Sequence, residues 1–185
     1  MKKSSLSKSI TLATAFSFGA LFTIGAAYAN DAPATSTTDK ISLLQAVSLA
    51  QSNTGATAFE VERESEMGQA FYEIELVGTE GQTIYTAIHS ETGEVLLTKE
   101  RRSRNKKHHK GNDDQLENAL WLSGLNRGLY LSVEDVVKQA QAQYDATAYS
   151  IELEDEDDAL IYEIELVNAA GKEIEVEINA HIAAK

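Results

Sequence analysis

The chain has 185 residues, a formal net charge of −13, 43% hydrophobic and 7% aromatic residues, and no cysteine. That length admits one or two small domains. Its acidity argues against free nucleic acid as a partner, and the missing thiols exclude disulfides, thiolate metal sites and thiol chemistry.

The chain opens on Lys2, Lys3 and Lys8, continues through an apolar run over residues 10–26, and reaches Ala27-Tyr28-Ala29. A positive start, an apolar run and a small-x-small site are the marks of a secretory leader. Residues 1–29 are therefore expected to be a signal peptide cleaved after Ala29, with the periplasm as destination. The run is interrupted by Thr11, Thr14, Ser17, Gly19 and Thr23, and it is short for a membrane span. Residues 30–40 hold the single proline, Pro33, among Ala, Thr and Ser, and are expected to form a disordered tether.

Residues 41–98 make a first unit. Ser42 is a good helix N-cap, and Gln45 stands where a capping box needs Glu or Gln. Leu43, Ala46, Val47 and Ala50 then follow the spacing of one helical face, and Gly55 suits a left-handed helix end. Phe59, Val61 and Arg63 alternate with Glu60, Glu62 and Glu64, which predicts a strand. Met67-Gly68-Gln69 is a turn. Tyr72, Ile74 and Leu76 alternate with Glu73 and Glu75 in a second strand, giving a ribbon with one apolar and one anionic face. Gly78-Thr79-Glu80-Gly81 is a hairpin connection to a third strand carrying Ile84, Thr86 and Ile88. A turn at Ser90-Glu91-Thr92-Gly93 leads to a short fourth strand from Glu94 to Leu97.

Residues 99–130 form a basic linker with a short helix. Lys99, Arg101, Arg102, Arg104, Lys106, Lys107 and Lys110 surround His108 and His109. Three readings stay open: a solvated spacer, a segment folded back on the glutamate faces, and a contact with lipid headgroups. Leu116, Ala119 and Leu120 share a helical face, with Gly124 and Gly128 expected to break it. Trp121, the single tryptophan, belongs to neither repeat. It reads either as a plug between the units or as an anchor for a partner.

Residues 131–185 repeat the first unit at an offset of 90. Tyr72-Glu73-Ile74-Glu75-Leu76-Val77 returns unchanged as Tyr162-Glu163-Ile164-Glu165-Leu166-Val167, Ser42 returns as Ser132, and Ala56-Thr57-Ala58 as Ala146-Thr147-Ala148. Val133, Val136, Val137 and Ala140 rebuild the helical face, and Ile174, Val176 and Ile178 the inward side of a strand. The copy then stops. No counterpart of Thr92-Gly93-Glu94-Val95 follows Ile182, so the fourth strand is expected to be missing or rudimentary, with a sheet edge left open. The architecture expected is α+β: two repeated units, each with one helix packed on a 3–4-stranded antiparallel sheet, the second truncated at its C-terminus. Ile174, Val176, Ile178 and Ile182 on that edge, together with Trp121, are the candidate partner-binding residues.

These stretches resemble PepSY domains, on the Ser-capped helices, the Tyr-Glu-Ile-Glu-Leu strands, the Gly81 and Gly171 hairpins, and Ile88-His89-Ser90-Glu91-Thr92-Gly93-Glu94-Val95. The family's closing aspartate would fall at His89 and Asn179, so both units depart from the pattern there. The family occurs in propeptides of secreted metallopeptidases, in spore-cortex proteins and as free-standing exported modules. The resemblance implies a non-catalytic binding or inhibitory module, with a protein or peptide partner in the cell envelope such as a peptidase. It supplies no catalytic set, no cofactor and no metal ligands. His89, His108, His109 and His181 form no nucleophile–base arrangement, and exposed alternating glutamates give no reason for a raised pKa. The alternative is an acidic cation-binding periplasmic protein, using oxygens of Glu73, Glu75, Glu163, Glu165, Glu173, Glu175 and Glu177 and of Asp155 to Asp158. The open edge also makes a homodimer by strand pairing an expectation to test.

Overall fold

The structure is a computed structural model that describes residues 22–23, 39–101, 110–156 and 159–182. The expected cleavage site, most of the tether, residues 102–109 of the basic linker, the acidic pair at 157–158 and the last three residues lie outside the described residues.

The elements in chain order are β1 (Phe22–Thr23), α1 (Leu43–Thr54), β2 (Thr57–Glu66), β3 (Gln69–Val77), β4 (Thr83–His89), β5 (Val95–Glu100), α2 (Lys110–Asn126), α3 (Val133–Tyr144), β6 (Ala146–Glu156), β7 (Ala159–Asn168) and β8 (Glu173–Asn179). All strands form one antiparallel sheet in the order β1-β8-β7-β6-β2-β3-β4-β5. The fold class is α+β as expected, but the two units share one sheet.

The join between units is short. β2 meets β6 through Val61 opposite Ile151 and Glu62 opposite Ser150. Val61 and Ile151 are repeat equivalents, so an approximate twofold axis passes between them. Each strand shifts register beside the join, between Ala58 and Glu60 in β2 and between Ala148 and Ser150 in β6. Such bulges sharpen strand twist, which limits how far two strands stay paired.

The capping chemistry follows the sequence. Ser42 accepts the Gln45 N–H while the Gln45 side chain accepts the Ser42 N–H, and Ser132 accepts the Asp135 N–H. α1 ends at Gly55 with φ 71°; α3 ends at Asp145, which takes φ 49° without the freedom of glycine. Met67 and Gly68, at φ 53° and 78°, form the two-residue turn that puts Glu66 opposite Gln69.

Both helices cover the same sheet face. Tyr72, Ile74 and Leu76 pack there with Tyr162, Ile164 and Leu166, under Leu43, Val47, Val133 and Val137. This is one continuous core drawing on both units, and every residue in it lies between Leu43 and Ala180. Its apolar burial offsets the chain entropy that a 55-residue unit alone would struggle to offset. Gln51 Nε2 donates to Glu134 Oε1 at 2.7 Å and ties the two helices together. The repeat holds down to single bonds: the Tyr72 hydroxyl donates to Ile41 O, and the Tyr162 hydroxyl to Leu131 O, both at 3.1 Å.

Three details differ from the expectations. β5 extends to Glu100, so the strand includes Lys99 of the expected linker. α2 is 17 residues long and runs through Gly124, which had been expected to end it. A Cβ at that position would lie 2.1 Å from the Tyr130 ring, so the glycine serves close packing against Tyr130. Finally, the expected apolar face of α2 is not its buried face: Leu116 and Leu120 are 59% and 63% exposed, and Trp121 is the side chain inserted.

The open edge and the acidic face

β8 alternates Ile174, Val176 and Ile178 with Glu173, Glu175 and Glu177. Val176 and Ile178 are fully buried and Ile174 is half-buried against the core, so the edge offers mainly backbone N–H and C=O groups. One side of β8 pairs with β7 from Ile161 opposite Asn179 to Val167 opposite Glu173. The other side meets Phe22 and Thr23, opposite Ile178 and Glu177. Its repeat equivalent, β4, is covered from Ile84 to Ile88 by β5. Beyond β8, Ile182 N–H donates to Leu129 O at 2.9 Å and leaves its side chain 47% exposed.

Trp121 does not lie on this edge. It is 5% exposed and packs edge-on against Phe59 at 6.0 Å between ring centroids. Its indole N–H lies against the Tyr162 hydroxyl without closing a well-aligned hydrogen bond. The structure thus groups Ile174, Val176, Ile178 and Ile182 on the second unit's side of the sheet and places Trp121 between Phe59 of the first unit and Tyr162 of the second.

His89 and Asn179, which stand at equivalent positions of the two units, both act as acceptors. His89 Nδ1 accepts from Glu91 N–H at 3.1 Å, and Asn179 Oδ1 accepts from His181 N–H at 2.8 Å. Both bonds close the turn at the end of the third strand of their unit, which is why unlike residues serve there.

The sheet face away from the helices is lined with glutamates, and the expectation of ordinary carboxylate behaviour fails there. Glu60 is pushed up to about 7 by burial, then by Glu75 and Glu62. Glu163 is pushed up to about 7 by burial, then by Glu175 and Glu154. Glu152 is pushed up to about 8 by burial, then by its hydrogen bond to Glu62 and the charges of Glu62 and Glu60. Neighbouring strands half-bury these carboxylates, which is the leading cause for each; Glu60 and Glu163 are then crowded by glutamates of their own unit, and Glu152 by Glu62 and Glu60 across the join. Burial followed by contact with Glu165 likewise raises the Tyr149 hydroxyl. A cleft of about 270 Å³ opens beside the join, lined by Glu62, Arg63, Glu64, Ser65, Tyr149, Ser150 and Glu165. Among the described residues no group of three or more His, Asp or Glu converges as an ion site would need.

One polar cluster escaped the sequence reading. Arg63 is buried and bonds to Asp39 through Nε at 2.6 Å and Nη2 at 3.2 Å, and the Ser90 hydroxyl donates to the same carboxylate at 2.7 Å. Burial raises the Asp39 pKa, but the bonds from Arg63 and Ser90 outweigh it and hold the carboxyl below its usual range. The cluster fastens the end of the tether to the first unit. The available signal was an arginine at an inward position of an alternating strand.

A family model described as "Peptidase propeptide and YPEB domain" (PepSY) matches residues 40–99 and again 130–181. A crystal structure of a protein from Clostridium difficile 630, assigned as a lipoprotein, is similar over 76% of this chain and 94% of its own, with 16% identity and a TM-score of 0.39. No curated protein matches the chain. Among the described residues no helix is long and apolar enough to cross a membrane.

Proposed function

The chain belongs to the PepSY family, carrying the domain twice, and we propose that it works as an exported, non-catalytic module that binds a protein of the cell envelope and modulates it. A peptidase restrained by this contact is the partner class the family favours. The observation that carries the reading is the asymmetry between two copies of one sheet edge. β4 is closed by β5 over five residue pairs, whereas among the described residues β8 pairs on that side with Phe22 and Thr23. An edge with unmet backbone groups is either blunted or used for pairing, and this one continues an intact core. Support for a non-catalytic role is chemical. The raised carboxyls are spread along a sheet face, and the cleft at the join brings together glutamates with hydroxyls of Tyr149, Ser150 and Ser65 but no histidine. Export rests on the N-terminal charge and apolar pattern and on the family's habit.

The test is affinity capture by the intact chain from envelope extract, followed by assay of the captured protein with and without added chain. The expected result is a saturable change in the partner's activity with the chain recovered unaltered. Turnover of a substrate by the chain alone would overturn the reading.

A further inference from the structure

We infer that the outer edge of β8 accepts one extended polypeptide strand, antiparallel to it, with an apolar residue opposite Ile178 and a basic residue opposite Glu175. The inference rests on the partner-binding role above and names the chemistry of what binds.

Three observations carry it. The first is the occupied copy. On β4, Val95 stands opposite Ile88, Leu97 opposite Ala87, Thr98 opposite Thr86 and Lys99 opposite Tyr85. The equivalent acceptor positions on β8 are Ile178, Glu177, Val176 and Glu175. The second is the segment that meets β8. Phe22 stands opposite Ile178 and Thr23 opposite Glu177, also antiparallel. Phe22 thus takes on Ile178 the register position that Val95 takes on Ile88. One of these segments follows its unit in the chain and the other comes from the chain's N-terminal end, yet both put an apolar residue at the same place. The edge geometry selects the register, and the two-residue contact covers only a small part of β8.

The third observation is charge. Lys99 faces a tyrosine in the first unit, and its counterpart would face Glu175 in the second. Opposite charges on directly opposed residues of one sheet face are mutually favourable. Beyond β5, the Arg101 guanidinium reaches Glu75 at 3.7 Å, and the equivalent of Glu75 is Glu165. A strand copying β5 therefore meets a second carboxylate two positions on. Glu175 also crowds Glu163 and Glu165, so an incoming cation relieves repulsion across the face.

A second copy of the chain fits less well. Antiparallel pairing of β8 with itself that keeps both core faces on one side puts glutamates opposite glutamates.

The probe is a labelled peptide of sequence Glu-Val-Leu-Leu-Thr-Lys-Glu-Arg, which is residues 94–101, added to the chain from Asn30 onward. That chain keeps every core residue whose burial is described, from Leu43 to Ala180. The expected result is saturable one-to-one binding with slowed amide exchange in β8. Glu175→Lys, at a partly exposed outward position, should weaken binding by about fivefold or more. A peptide with glutamate in place of its lysine should bind Glu175→Lys better than it binds the parent chain. No saturable binding, or binding indifferent to the charge reversal, would overturn the inference. So would a concentration-dependent dimer that protects β8 and excludes the peptide. If the peptide fails while the intact chain still captures a partner, this edge assignment falls and the binding role stands. If capture fails as well, the proposed function falls with it.

Discussion

The two halves of this molecule are the same construction carried to different degrees of completion. The first unit ends in a strand that seals its outer edge, and it fixes its entry segment with a buried ionic cluster of Asp39, Arg63 and Ser90. The second has Leu129, Leu153 and Ala180 at the equivalents of those three residues, and among the described residues its outer edge meets Phe22 and Thr23. Core, caps and tyrosine hydrogen bonds are common to both, so the fold requires neither the ionic cluster nor the fourth strand. What the extra parts change is the ends: one unit is closed by β5 and tied down, and the other has an edge that, among the described residues, is paired over two residues. The contrast separates what the fold needs, the core and caps common to both units, from what it does not.

The largest expected effect lies in the ionic cluster. Asp39→Ala leaves Arg63 buried without its carboxylate and should cost about 3–5 kcal/mol in chemical denaturation. Converting the first unit to the second unit's solution, with Asp39→Leu, Arg63→Leu and Ser90→Ala together, should be neutral or stabilising by about 1–4 kcal/mol. A large loss from the triple change would show that the two units are not interchangeable at this place.

A smaller effect concerns the seam that joins the units. Glu152 has its pKa raised from 4.5 to about 8, and Glu60 and Glu163 are raised to about 7. A carboxyl whose folded pKa exceeds its unfolded value contributes stability that is full below the unfolded value and lost as pH rises through the folded one. Thermal midpoints should therefore fall from about pH 5 to about pH 9. These groups are partly exposed, so solvent screening limits each contribution to on the order of 1 kcal/mol. Glu152→Gln should flatten this slope, and an unchanged slope would remove the seam as its source. Asp39, whose pKa is lowered from 3.8, acts in the opposite sense and loses its contribution only in strong acid.

The smallest effect separates the helix ends. Asp145→Gly gives α3 the residue that α1 has at Gly55 and should raise stability by up to about 1 kcal/mol. Gly55→Asp should lower it by a similar amount.

Much of this was legible in the residues. The 90-residue offset, the capping serines and the alternation at Tyr72 to Leu76 gave two α+β units, since period-2 patterning and caps are local. The pairing of Phe22 and Thr23 with β8 was not legible, because it joins segments more than 150 residues apart. What was not legible depends on contacts between distant segments. Nothing in Glu60, Glu62 or Glu152 taken singly shows that two anionic ribbons meet at Val61 and Ile151. Burial there, followed by the hydrogen bond to Glu62 and the charges of Glu62 and Glu60, is what raises the Glu152 pKa. Asp39 looked like tether because its partner Arg63 lies 24 residues away, and Gly124 looked like a helix breaker because Tyr130 folds back onto it.

The most direct test of the central asymmetry is amide hydrogen exchange, residue by residue, in the chain from Asn30 onward. The outward-facing amides of β8 between Ile174 and Ile178 are predicted to exchange much faster than their equivalents between Ile84 and Ile88, which β5 covers. Equal protection of the two sets would mean that β8 is already closed, and would contradict the account.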